Sequence, residues 1–326
     1  MTRKVMITGV GGLIGSHLAD ALLNQGCMVY GLDVCSLDNN KNLDLAKLNK
    51  NFFYFHGDIR DSNTIENFFQ KDATEIYHLA SIVGVNRYME DPLSLIDIGL
   101  IGTRNLIAKC ELNNVRMLFT STSEVYGRNP NIPWSENGDR VLGATNVDRW
   151  SYSTAKALCE HMLFGVYHSK GWPMTIVRFF NVYGPRQNPI YVISKSVYNV
   201  LNGVSPEIYD SGEQTRCFTY IEDVVQGIIS AATSENSVGE VINLGNDQEN
   251  TMREAIDIIL EVTESKLKPI KINTKIKYGS LYEDIPRRVP CIQKASDLLD
   301  WKPRTSLKLG IMNTIKWVNS NLWYLD

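Results

Sequence analysis

Over residues 1–183, short apolar runs alternate with longer stretches in which apolar residues recur every three or four positions. Val5–Thr8, Met28–Leu32, Phe52–Phe55, Ile76–Leu79, Met117–Ser121 and Thr175–Phe179 read as strands. Leu13–Asn24, Leu93–Cys110 and Trp150–Ser169 read as helices, the last closed by Gly171 and Pro173. Strands alternating with helices predict parallel β-α-β units, hence an α/β fold built on a Rossmann-type doubly wound parallel sheet. Right-handed crossovers then bring the strand C-termini to one edge, where ligands bind.

From about Gly184 the texture changes. Pro and Gly punctuation is denser, and the helical patterns Ile221–Ala232, Met252–Val262 and Leu307–Val318 are separated by short runs. We expect residues 1–183 to form a dinucleotide-binding domain that carries the Trp150 helix. Residues 184–326 are expected to form mainly a smaller α/β lobe for substrate, its elements interleaved with the first. A chain of 326 residues, 44% hydrophobic, is long enough for two such units. The net charge of -3 and the lack of a Lys/Arg block give no nucleic-acid footprint. The six cysteines are scattered with no C-x-x-C pair, which predicts neither a metal site nor a disulfide framework and fits a reducing, cytoplasmic setting. No apolar run reaches membrane-spanning length, and the opening residues do not have the form of a signal peptide.

The first strand runs into Gly9-Val10-Gly11-Gly12-Leu13-Ile14-Gly15. Gly9 and Gly12 let backbone turn tightly against a diphosphate, helix N–H groups point at it, and Gly15 lets the helix pack close to the sheet. Asp33 ends the second strand, 18 residues after Gly15. A carboxylate there accepts hydrogen bonds from an adenosine ribose diol and repels a 2′-phosphate, which favours NAD over NADP. Asp58 and Ile59 are expected to cup the adenine. Leu13, Ile14, Leu79, Ala80 and Phe179 complete the expected cofactor lining, with Lys156 expected to bond the nicotinamide ribose.

Tyr152 and Lys156 stand one helical turn apart. A phenol of pKa about 10 needs about 4 kcal/mol of differential stabilisation to ionise ~3 units lower, and a neighbouring ammonium with a positive nicotinamide can supply it. The phenolate can then take a sugar hydroxyl proton while hydride leaves for NAD. Thr122, Ser123 and Glu124 close the fifth strand at the same edge. The two hydroxyls are placed to bond the reacting oxygen, and Glu124 to act as a second acid or base at sugar C5 or C6.

These segments together resemble the extended short-chain dehydrogenase/reductase family that acts on nucleotide-sugars. The likeness runs from about Lys4 to Val318 through GVGGLIG at 9–15, TSEVYG at 122–127, YSTAK at 152–156, FFNVYGPRQ at 179–187, RCFTYIEDV at 216–224 and DWKP at 300–303. It implies that Tyr152 and Lys156 are the catalytic pair and that Thr122 binds the reacting hydroxyl. It also implies that Asn181, Arg216 and Arg288 contact the substrate, with Arg87 and Tyr282 beside them. The paired donors of Arg suit a diphosphate or a carboxylate. A homodimer through a four-helix bundle of Leu93–Cys110 and Trp150–Ser169 is a further implication.

The resemblance implies a shared first step, oxidation of sugar C4 to a ketone, on a UDP- or GDP-linked sugar. The run Tyr282-Glu283-Asp284-Ile285-Pro286-Arg287-Arg288-Val289-Pro290 is most similar to that of UDP-glucuronate decarboxylases. A 4-ketone makes such a sugar acid a β-keto acid that loses carbon dioxide readily. Ala80–Pro92, in contrast, resembles the segment of dehydratases and epimerases, so 4,6-dehydration, 4-epimerisation and net 4-dehydrogenation stand beside decarboxylation. A reading of another class is a non-catalytic nucleotide-sugar or NAD sensor.

Overall fold

The computed structural model describes residues 2–83, 91–278 and 285–326. Its centre is a seven-stranded, all-parallel sheet. The strands are Lys4–Thr8 (β1), Met28–Asp33 (β2), Phe52–His56 (β3), Glu75–His78 (β4), Arg116–Thr122 (β5), Met174–Phe179 (β6) and Val241–Leu244 (β7), in the spatial order β7-β6-β5-β4-β1-β2-β3. The order reverses between β1 and β4, which opens a crevice over their C-terminal ends.

Helices cover both faces. Leu13–Asn24 (α1) and Ile221–Thr233 (α4) bury Leu18, Leu22, Val224 and Ile228 on one side. On the other, Thr103–Leu112 (α2) and Arg149–Lys170 (α3) bury Leu106, Cys110, Cys159 and Leu163 against Met6, Ile76 and Met117. The expected helix Leu93–Cys110 is observed in two parts. Pro92–Asp97 runs through a π-turn at Ile98–Gly102 into α2. Gly102 is needed there, because a Cβ would lie 2.2 Å from Ile59 Cδ1.

The second half contributes to the same sheet. β7 pairs with β6, Val241 opposite Ile176, and α4 packs in the same core as α1. Outside this sheet the described residues form three two-stranded pairs: Val182–Tyr183 with Thr219–Tyr220, Thr215–Arg216 with Asn250–Thr251, and Glu207–Tyr209 with Ile270–Ile272. Met252–Val262 begins in a capping box between Thr251 and Glu254. No described helix is long and apolar enough to cross a membrane.

His78 is enclosed between Thr8 Oγ1 at 2.8 Å and Thr103 Oγ1 at 3.0 Å. Burial, then the nearby Lys156 charge, lowers its pKa to about 3. Burial and the Arg186 charge lower that of His17 to about 4. In an unfolded chain both titrate near 6.5, so below that pH the unfolded state binds more protons and stability falls with pH. Denaturant midpoints are expected to drop between pH 7 and pH 5. The drop should be smaller in His78→Gln, and an unchanged pH slope in that variant would exclude His78 as a source.

Candidate active site

The glycine turn is built around close backbone contacts. Gly9 has φ +70°, and a Cβ there would sit 2.8 Å from Ala80 N, so the end of β4 seats directly on the turn. A Cβ on Gly15 would lie 2.2 Å from the Gly9 carbonyl oxygen. Gly12 caps α1 in an extended conformation with no side-chain acceptor, and the helix has no acidic residue in its first turn. The first N–H groups of α1 thus lack any side-chain cap, which leaves the helix start open to an anion such as a diphosphate.

Asp33 accepts hydrogen bonds from Gly11 N at 2.9 Å and Cys35 N at 3.0 Å. Its carboxylate therefore ties β2 to the turn and keeps lone pairs for a ribose. Gly11 is closed in by side chains rather than backbone, since a Cβ would lie 1.8 Å from Asn40 Nδ2 and 3.1 Å from Asp33 Oδ2. Asn42 Nδ2 donates to the Gly11 carbonyl at 3.0 Å. Leu13, Ile14, Leu79, Ala80 and Phe179 are partly buried around the turn and the strand ends. Asp58 is held by Arg60 at 2.6 Å, and Ile59 is buried against α2.

The second cluster stands at the ends of β5 and α3. Lys156 is 4% exposed. Its Nζ donates to the Thr120 carbonyl at 2.8 Å and lies 4.7 Å from the Phe119 ring centre. Burial lowers its pKa to about 8. Tyr152, one turn earlier on the same helix, is buried against Leu95, Ala155, Ile82 and Ile96. Thr122 Oγ1 accepts from Glu124 N at 3.2 Å, which leaves its own proton to donate elsewhere. Ser123 is buried in the same short turn.

Glu124 lies between two guanidiniums. Arg288 Nη1 donates to Oε1, and Arg149 Nη2 approaches Oε2 at 3.4 Å. Burial pushes its pKa up, but Arg288, Arg149 and Arg216 outweigh that and hold it below the usual carboxylate range. Arg288 is placed by flanking backbone bonds, from Thr215 N to the Pro286 carbonyl at 2.9 Å and from Trp134 N to the Val289 carbonyl at 2.8 Å. Arg216 is buried and donates to the Thr215 carbonyl at 2.7 Å. Asn181, with φ +38°, carries a buried Nδ2 that has no partner among the described residues. Arg87 and Tyr282 lie outside the described residues.

Glycine turn, Asp33, Tyr152, Lys156, Thr122, Glu124, Arg216 and Arg288 thus lie along one edge of the fold. Sequence reading missed Arg149. Its signal was its position, three residues before Tyr152 on the same helix. It also missed Asn40 and Asn42, which no spacing rule connects to Gly11.

Gly9→Ala is expected to cost about 1–3 kcal/mol from left-handed strain and contact with Ala80, and to abolish dinucleotide binding. Gly26, at φ +81° with nothing within 4 Å of an added Cβ, supplies the control. Gly26→Ala should lower thermal stability and leave binding intact, as read by nucleotide fluorescence.

The family profile described as GDP-mannose 4,6 dehydratase matches residues 6–314. The UDP-N-acetyl-alpha-D-glucosaminuronate decarboxylase of Bacillus cytotoxicus is 36% identical over 320 residues, 97% of this chain and 98% of the relative. UDP-glucuronic acid decarboxylase 1 of Xenopus tropicalis is 32% identical over 98% of this chain and 73% of its own length. Among solved structures, the UDP-glucuronic acid 4-epimerase of Bacillus cereus with UDP-glucuronic acid and NAD superposes with a TM-score of 0.84 at 28% identity, over 98% of this chain and 99% of that one. The chain belongs to the GDP-mannose 4,6 dehydratase family, within the extended short-chain dehydrogenase/reductase enzymes that act on nucleotide-sugars.

Proposed function

We propose that this protein oxidises C4 of a UDP-linked hexuronic acid and then releases C6 as carbon dioxide. The observation that carries this reading is Glu124 set between Arg149 and Arg288, next to Thr122 and at the edge where Tyr152 and Lys156 end. The full-length likeness to a UDP-N-acetylglucosaminuronate decarboxylase supports it and suggests an N-acetylated uronate.

The glycine turn, the uncapped start of α1 and Asp33 would hold the diphosphate and adenosine ribose of NAD, which when bound takes the C4 hydrogen with its electron pair. Tyr152 as phenolate takes the O4 proton. Lys156 stabilises that phenolate, and the Thr122 hydroxyl donates to O4. Arg288 and Arg149 orient the C6 carboxylate in the plane that favours cleavage. When the C5–C6 bond breaks, its electron pair moves onto O4, where the Tyr152 and Thr122 hydroxyls receive it. C5 then takes a proton, giving a 4-keto pentose. Residues 1–183 would carry the cofactor. Asn181 and Arg216 would hold the substrate diphosphate, mainly from the 184–326 side.

The likeness to a UDP-glucuronic acid 4-epimerase favours a second reading, in which the 4-keto sugar turns over and is reduced on its other face. The helices expected over Leu93–Cys110 and Trp150–Ser169 would pair two copies into a four-helix bundle. Ile101 on the π-turn and Leu158 on α3, 44% and 45% exposed, would lie in that interface.

Incubation with UDP-N-acetylglucosaminuronate, UDP-glucuronate and neutral UDP- and GDP-sugars, followed by mass analysis, is expected to show loss of carbon dioxide from a uronate. A product of unchanged mass would mean epimerisation, and binding without turnover would mean a sensor. Tyr152→Phe should lower turnover at least ~100-fold while NAD stays bound. Asp33→Ala should gain NADP use, and an unaltered NAD preference would remove that role from Asp33.

A further inference from the structure

We infer that Glu160, which touches neither proposed ligand, is a positioning residue that sets the place of Lys156 and keeps its ammonium charged. The inference rests on the reading of Tyr152 and Lys156 given above.

Glu160 is 5% exposed on α3, one turn beyond Lys156 and two beyond Tyr152. Both of its oxygens are taken. Oε1 accepts from Ser121 Oγ at 2.5 Å and Arg178 Nε at 3.0 Å, and Oε2 accepts from Arg178 Nη2 at 2.6 Å. Ser121 stands between Thr120, whose carbonyl receives the Lys156 ammonium, and Thr122. One carboxylate therefore fixes α3 to β5 at the residue between two functional neighbours, and fixes both to β6 through Arg178. Arg178 is braced in turn. Its Nη1 donates to Tyr126 Oη at 2.8 Å and to the Glu136 carbonyl at 3.1 Å, and Tyr126 donates to Asn243 Oδ1 at 2.8 Å.

A buried ion pair of this kind is not an efficient source of stability, since apolar residues of equal volume often do as well. Its placement points to another use. The charged and titratable groups around it are Arg178 from β6, Tyr126, Glu136 and Arg140 from the segment after β5, and Cys159 on its own helix. His78 faces Lys156 from β4. Burial depresses Lys156, and Cys159 and Glu160 act against that depression. Of those two, Glu160 is the carboxylate.

The sign follows from distance. Neutralising Glu160 removes an anion about 6 Å along the helix from Lys156 and leaves the Arg178 cation unopposed, and both changes disfavour the ammonium. The anion's direct repulsion of a Tyr152 phenolate acts over about 12 Å and is weaker. The net effect is a Tyr152 that ionises at higher pH.

The test follows tyrosinate absorbance of the NAD-bound enzyme against pH, with the Tyr152 signal isolated by subtracting Tyr152→Phe. Glu160→Gln is expected to move that transition up by about one pH unit. Glu160→Asp, which keeps the charge, should stay near wild type even with a lower Tm. If Glu160→Gln loses Tm and leaves the transition in place, Glu160 is structural only and the inference fails. Should Glu160→Gln not fold, Glu160→Asn against Glu160→Asp, equal in size and different in charge, decides by the same shift. A wild-type enzyme that shows no Tyr152 transition, with Tyr152→Phe still active, overturns the underlying reading instead.

Discussion

An ammonium kept inside the protein at the end of a parallel sheet is the constraint from which the rest of this edge follows. Lys156 has left water, which disfavours its charge by several kcal/mol before any compensation. Compensation comes from three directions: the Thr120 carbonyl, the face of Phe119, and the carboxylate one turn along α3. Each requires a fixed register. The carbonyl is available because β5 ends in extended backbone beside α3. The ring is available because Phe119 lies on the same strand. The carboxylate is available because α3 continues unbroken to Lys170. His78, uncharged beneath the same site, adds no competing cation.

The neighbouring region solves the opposite problem. Glu124 is a carboxylate largely removed from water, and guanidiniums from two distant segments hold it ionised. Arg149 arrives with the helix that carries Tyr152, and Arg288 on a strand-like segment bridged to Trp134. The two ionic clusters meet at Thr122, which caps the turn leading to Glu124. A sugar seated there would find a proton acceptor on one side and paired cationic donors on the other. This is the arrangement that oxidation at C4 and cleavage beyond C5 both call for.

The proposed cofactor side is held by close backbone contacts and by the Asp33 carboxylate. Gly9, Gly11 and Gly15 are each closed in by a neighbour that a side chain would strike, and Asp33 turns its carboxylate onto the loop itself. Arg186, across the crevice, pairs with Asp20 on α1 at 2.7 Å, and Asn42 approaches its carbonyl at 3.5 Å. The loop after β6 is therefore anchored to α1, the helix that starts the proposed dinucleotide site. The two halves of the chain share an apolar core as well as this polar seam.

Much of this was legible from residue order. The six strands read over residues 1–183 were marked by apolar runs, and their observed ends differ from expectation by one residue at most, because parallel strands covered by helices leave a near-continuous apolar trace. Met252–Val262 was read to the residue, since Thr251 and Glu254 announce its start. β7 was not read, because Val241, Ile242 and Leu244, interrupted by Asn243 and flanked by Gly239 and Gly245, look the same as a strand or a loop until a partner is known. Nor was the π-turn at Ile98–Gly102, whose periodicity differs from that of a helix by a single residue. By itself the sequence determined the fold class, the glycine turn and the Tyr152–Lys156 spacing, which are all encoded in short windows of one element. Only the tertiary structure decided that Arg149 and Arg288 converge on Glu124, that Asn40 closes over Gly11, and that Glu160 joins Ser121 to Arg178. Those pairs are separated by 18 to 164 residues, and proximity across that distance is set by packing rather than by local pattern.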